Sequence, residues 1–561
     1  MKRRAFAATA TIPGVAPGVA LGAALLLAAC GPDAARTGGA THAATIRVGT
    51  ALAAEQVLSR TIDSAPSSLD PSLVTDVPAQ HVLDDLFEGL VRLSSDGRAV
   101  PGVAASWETS ADGLTWIFHL RPEARWSNGA PLVAADFVYG WRRTVDPRTA
   151  ASYAQAVAPV LNAFDIATGK RPVEELGVEA LDAHTLRVRL SEPTPFLPFL
   201  LTNAWMDPLY RPVIEQYGDD WTRPGHIVSN GAFVVRENVI GSRLTLERNP
   251  HYWGAGEVRL TRVIYYALED RNAQSQRYLA GQVQFVETIP STDIPWLRRE
   301  LGDQVVIRPY FGTFLIGVND LQPPFAGNPK LRLALSMALD RETLTEKVVN
   351  GAGFPAYTLV PPLEGYEQPL PDWARLPKEQ RHALARRLYR EAGYTPARPL
   401  RAELVSTAGD PVTTLTYEAV CAMWRTVLGA EIGLHPEEFK VLLQNNRLHQ
   451  NILFHNAWIG DYPDPYTFMQ LFKTGFDLNY GAYSRPAYDA LLARAARLTT
   501  NAERYRVYEE AERFLNEDGA LIPLYYYAVR HLVKPYLRGF APDIVDRNPS
   551  RDMYLLEHDG D

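Results

Sequence analysis

Twelve histidines, 64 acidic side chains and two cysteines, Cys30 and Cys421, are the residues of this chain that could act as bases, acids, metal ligands or nucleophiles. The histidines are scattered without metal-ligand spacing; His449 and His455 stand six apart and read as surface or pocket residues. No Gly-x-Ser-x-Gly elbow, His-Glu-x-x-His zinc motif, phosphate loop or dinucleotide fingerprint occurs. Carboxylates are plentiful, but a catalytic pair across a glycosidic bond is defined by distance, which spacing along the chain does not give. Cys421 lies in a helix-like stretch, Tyr417 to Trp424, where a lone thiol is ordinarily a small core hydrophobe. Asp461, in Asp461-Tyr462-Pro463-Asp464-Pro465, reads locally as a turn residue. These residues point to binding rather than to catalysis.

The chain that must position them has 561 residues, 46% hydrophobic and 21% charged, which implies two or three globular domains. A formal charge of −8 excludes nucleic acid as a partner, since phosphate binding needs a basic face. Eleven Trp and 26 Tyr fit a protein that presents rings to a ligand. Two cysteines exclude a disulfide framework and a thiolate zinc site within one chain. After residue 29 no apolar run approaches the roughly 20 residues that span a bilayer.

The first 29 residues read as an address. Lys2, Arg3 and Arg4 precede a charge-free run from Ala5 to Ala29, the layout of a secretory leader. It ends Leu27-Ala28-Ala29-Cys30-Gly31, which resembles a bacterial lipobox, so Cys30 is expected to become the lipidated N-terminus. A chance cysteine in an Ala-rich leader, or an uncleaved signal anchor, are the other readings. Cleavage would remove three positive charges and no negative ones, leaving the mature chain more acidic still. Residues 30–45 are small and polar and read as a flexible tether.

Strand signals dominate from about 86 to 270: Thr115 to Leu120, Thr185 to Leu190 and Arg243 to Glu247, separated by turn clusters such as Glu192-Pro193-Thr194-Pro195. Long helices follow. One is expected from Asn328-Pro329 to Asn350-Gly351, another from about Lys378 to Ala392. A third should begin at Ser484, and a fourth at Asn501 with Tyr505, Tyr508, Ala511 and Leu515 on one face. Leu521 to Tyr527 reads as a buried strand. The order suggests at least two α/β lobes, with no internal repeat.

Several strings then resemble, in order, the family 5 extracellular solute-binding proteins of ABC importers, most closely the periplasmic oligopeptide binders. They are Ser68-Leu69-Asp70-Pro71, Asp85 to Leu90, Trp116 to Arg121, and Trp126-Ser127-Asn128-Gly129-Ala130-Pro131 through to Ala150. Ser229 to Phe233 and Leu246 to Trp253 continue the series. The resemblance implies a periplasmic-binding-protein fold of type II (cluster C), two lobes closing on a hinge plus an extra inserted lobe. Lobe I would take 46–87, 211–311 and 529–561, lobe II 88–210 and lobe III 312–528, with the hinge near 311 and 528. It further implies a lipid-anchored monomer, in the periplasm or on the outer face of the cytoplasmic membrane, that hands oligopeptides to ABC permease subunits. No catalysis, cofactor or metal is expected. A receptor for cell-wall muropeptides is the alternative ligand reading, and a secreted hydrolase the remote one.

By position, the resemblance makes Thr75-Asp76-Val77 one peptide-binding edge and Ala457-Trp458-Ile459 the opposite one. Tyr153 would line the pocket, and Asp461 would pair with the peptide's α-ammonium; a core ring, core packing and a turn are the plain readings of Tyr153, Trp458 and Asp461. There are departures. Familiar relatives place arginine where His455 stands and another near Asn446 or Arg447, and a histidine near Thr413. The groups that receive a peptide carboxylate are thus thinned unless Arg447 takes over. Where some relatives carry a disulfide, this chain has Gly312 and Ile459.

Overall fold

A computed structural model describes residues 46–94, 97–152, 154–541 and 543–559. The expected leader and tether, Cys30 and Tyr153 lie outside the described residues. Among the described residues no helix is long and apolar enough to cross a membrane, and no cluster of His, Cys, Asp or Glu could hold a metal ion.

The backbone of the molecule is an 11-stranded mixed sheet. At one end lie Phe233–Val239, Arg243–Arg248, Arg262–Ala267, Val57–Ile62 and Phe285–Val286. At the other lie Leu453–Ile459, Arg401–Thr407 and Glu431–Glu437. Two long antiparallel strands, Val305–Val318 and Leu521–Val533, join the two ends. Their register runs Pro309 opposite Ala528, then resumes at Thr313 opposite Tyr526. Three residues, Tyr310, Phe311 and Gly312, therefore face Tyr527 alone, a bulge that bends the sheet where its two ends meet.

A separate antiparallel sheet of Ala104–Thr109, Thr115–Leu120, Thr185–Arg189 and Val178–Asp182 occupies the inserted region. Its buried Phe118, Leu186 and Val188 share one hydrophobic core with Leu58, Leu246 and Tyr265 of the large sheet. A second core gathers Tyr278, Ile294 and Leu297 with Phe314, Leu335 and Trp424, and so crosses the lobe boundary expected at 311. A third holds Phe311, Phe468, Tyr488, Tyr508 and Leu515.

The periodic helices form: Lys378–Glu391, and Asn501–Asp518 with Tyr505, Tyr508, Ala511 and Leu515 buried. Cys421 is buried in the helix Pro411–Leu428, as a small core residue should be. Two expectations need correction. The helix begun at Asn328, whose side chain caps Leu331 N, runs only from Pro329 to Met337. Asp340 then caps a second helix through Thr343 N, and the chain winds as a wider turn to Val348 before Asn350 and Gly351 end it with positive φ. The cap at Asp340 competes with continuation of the first helix and wins. The helix expected from Ser484 begins at Pro486, where the missing N–H costs nothing.

Candidate functional site

The strand Leu453–Ile459 is paired unequally on its two sides. On one side it follows Val305–Val318 along its whole length, from Leu453 opposite Val318 to Ile459 opposite Gly312. On the other it pairs with Arg401–Thr407 only at Leu453 and Phe454. From His455 to Ile459 the outer edge has no strand partner among the described residues. An unpaired edge exposes alternate N–H and C=O groups that an extended backbone can complete. Ala457 and Trp458 are half-buried here and Ile459 is 47% exposed.

Immediately beyond this edge comes Asp461. Gly460 lets the chain turn against Phe311, whose ring would lie 2.4 Å from any Cβ at that position, while Gly460 N donates to Phe311 O at 2.7 Å. Thr467 Oγ1 accepts from Trp458 Nε1 at 3.0 Å and from Asp461 N at 3.3 Å. Asp464, fully buried, pairs with the equally buried Arg504. The loop is thus pinned on both flanks, while Asp461 itself stays exposed. Surrounding protein pushes its pKa up to about 6, and among the described residues no cation pairs with it. A carboxyl with no cation beside it, at the end of a free strand edge, could receive one.

Rings from neighbouring elements gather about His455 of the same strand. Phe314 lies 4.7 Å from the Tyr525 ring, 5.4 Å from Tyr417 and 5.2 Å from His455. His455 Nδ1 is 2.9 Å from Tyr417 Oη, and burial lowers the imidazole pKa to about 4, so it is neutral at pH 7. Arg447, the last residue of the helix Phe439–Arg447, is exposed and meets Tyr480, which packs against Phe454. Of the sequence-named residues, Ala457, Trp458, Ile459, His455 and Asp461 therefore share one strand and its exit. Arg447 lies toward the far end of that strand. Thr413 is buried beside Asp410, and Asn446 accepts from Asn451.

Thr75-Asp76-Val77 is not a strand. Asp76 is the N-cap of the helix Val77–Leu86, its carboxylate accepting from Ala79 N at 2.8 Å and Ser67 N at 3.1 Å. Pro78 inside the first turn favours that helix over an extended edge. Thr75 and Val77 remain exposed. Sequence reading missed Phe196, whose ring stacks on Tyr462 at 4.5 Å and 3° and on Tyr466 at 5.3 Å. The turn cluster just before it was the available signal.

The sequence profile described as bacterial extracellular solute-binding proteins, family 5 Middle, matches residues 98–480. The periplasmic oligopeptide-binding protein OppA of Escherichia coli is 35% identical over 93% of this chain and 96% of its own. The probable deoxycholate-binding periplasmic protein YgiS of Escherichia coli is 36% identical over 92% of this chain and 97% of its own. The unliganded open form of the murein tripeptide binding protein MppA superposes with a TM-score of 0.85 at 35% identity, covering 91% of this chain and 99% of that one. A second structure of Escherichia coli MppA gives 0.73 over 91% and 100%.

Proposed function

Because the chain belongs to the bacterial extracellular solute-binding proteins of family 5, we propose that it captures oligopeptides outside the cytoplasmic membrane and delivers them to the permease of an ABC importer. One observation carries the ligand class: the unpaired Asp461 carboxyl stands at the end of the free edge His455–Ile459. A peptide supplies what both lack, an ammonium for the acid and a backbone ladder for the edge. Ladder bonds are the same for every sequence, so one groove accepts many peptides. The bile acid named for one relative has no amine and would leave Asp461 unpaired.

The remaining parts of the reading follow from this one. Ala457, Trp458 and Ile459 offer the ladder; Thr75, Asp76 and Val77 face the peptide through exposed turn backbone; Tyr153, His455 and Arg447 line the groove. Lobes I, II and III, divided at 88, 211, 312 and 529, close about the bulge at Tyr310–Gly312. The protein works as a monomer tethered through lipidated Cys30, in the periplasm or on the outer face of the cytoplasmic membrane. It performs no chemistry on its ligand and needs no cofactor.

A murein peptide is the second reading, favoured by the superposition on the open form of MppA. Native mass spectrometry of the protein with whatever it carries from the cell separates the two, since a D-amino acid or diaminopimelate residue has its own mass. Recovery of a non-peptide ligand, with no binding of any peptide by calorimetry, defeats both.

A further inference from the structure

Phe196 ends the turn Glu192-Pro193-Thr194-Pro195 and is half-buried. The next residue, Leu197, belongs to the first core, whereas Tyr466 packs against the third; the two cores share no member. Phe196 therefore reaches from one core to a loop built on another. Its ring is nearly parallel to that of Tyr462, which is 6% exposed and follows Asp461 directly in the chain. Thr467, Gly460 and the Asp464–Arg504 pair hold the loop from the third-core side. Phe196 holds it from the opposite side.

We infer that Phe196 is a positioning residue for the amine end of the ligand, transmitting the placement of the Glu192–Phe196 turn through Tyr462 to the Asp461 carboxyl. The inference rests on the amine-binding reading of Asp461. Two further facts support it. A cavity of about 230 Å³, lined by Glu192, Pro195, Phe196, Tyr466, Lys473 and Tyr508, lies beside the stack. The stack therefore borders open space on that side. Secondly, Tyr462 interacts electrostatically with Asp461, and its other titratable and charged neighbours are Tyr466, Tyr508 and Arg504, with Glu192 facing Tyr466 from the turn. Burial holds these phenols protonated, so loss of the stack would act on Asp461 by shifting Tyr462 and the protein that desolvates the carboxyl, not through a new charge.

Carboxyl-carbon NMR of Asp-labelled, unliganded protein tests this directly, with Asp461→Asn assigning the resonance. Phe196→Ala and Phe196→Leu should lower the Asp461 titration midpoint from about 6 toward the ordinary carboxylate range, and Phe196→Tyr should restore it. In parallel, free-amine and N-acetylated forms of a randomised tetrapeptide mixture are compared by competition. Phe196→Ala should reduce the free-amine preference roughly threefold to tenfold, the scale of one aromatic pair. Unchanged titration and unchanged preference in Phe196→Ala and Phe196→Leu overturn the inference, including when the melting temperature falls, because that is a packing role alone. If the wild type itself shows no amine preference, the reading of Asp461 fails, and the titration arm still decides whether Phe196 is coupled to it.

Discussion

Tyr417 Oη lies 2.9 Å from His455 Nδ1, and the pair sits under the free strand edge in a ring cluster with Phe314. A buried imidazole whose pKa is about 4 carries no charge at neutral pH. The folded value is below the ordinary one, so the unfolded chain binds the proton more readily. His455 therefore contributes stability that is present above about pH 6.5 and is lost as pH falls toward 4. His455→Gln should flatten the decline of unfolding free energy across that window, measured by urea titration at several pH values. An equally steep decline in the variant places the titration elsewhere.

Asp461 has the opposite sign. Its folded pKa is raised, so the ionised carboxyl weakens the unliganded fold as pH rises through about 6. Ligand amine needs that ionised form, so affinity for free-amine peptides should rise with pH through the same region. Asp461→Asn should cost free-amine peptides about 2–5 kcal/mol, at least a roughly thirtyfold loss, and should abolish the pH dependence. N-acetylated peptides should bind the wild type weakly and lose little more in the variant. Additive losses from acetylation and Asp461→Asn by calorimetry would mean that the two groups do not meet.

The Asp464–Arg504 pair is fully buried. Removing one partner strands the other charge, which typically costs about 3–5 kcal/mol. Arg504→Met should therefore lower the denaturation midpoint strongly, and Arg504→Met with Asp464→Asn should recover much of the loss. A double variant no more stable than the single one argues against direct pairing.

Ligand binding should raise the melting temperature and compact the protein. At about 100 times Kd the stabilisation is near 2.7 kcal/mol, and small-angle scattering should show a smaller radius of gyration if the cleft closes. An unchanged radius with binding proven by calorimetry would rule out closure.

Cys30→Ser should release the protein from membranes or leave the precursor uncleaved, read by fractionation and gel mobility. Unchanged attachment and mobility would remove the anchor.

What was legible in the sequence was what repeats locally. Tyr505, Tyr508, Ala511 and Leu515 recur at helical spacing, and alternation marked Thr115–Leu120. The family resemblance, carried over by position, is what singled out Asp461 as a proposed site residue. The end of the helix begun at Asn328 escaped because Asp340 is unremarkable until its side chain caps Thr343. The helix cap at Asp76, inside the expected peptide-binding edge Thr75–Val77, escaped for the same reason. The turn cluster before Phe196 marked a loop but not the contact Phe196 makes. Its partner Tyr462 is distant in the chain, and a stacking pair leaves no periodic mark in either segment. The neutrality of His455 likewise depends on neighbours drawn from the distant strand Val305–Val318 and helix Pro411–Leu428.

The sheet also dictates when the chain can fold. Val57–Ile62 lies between Arg262–Ala267 and Phe285, Phe285 needs Val533, and Arg47–Leu52 finds its partner only in Tyr554–Asp559. A ribosome that has released the first half has released strands with unfilled edges, and ladders between such remote segments are slow to close. The N-terminal portion cannot complete its sheet until the final residues have emerged. For a chain proposed to be exported, that delay would keep it threadable during synthesis, and the last strands made are those that lock the first.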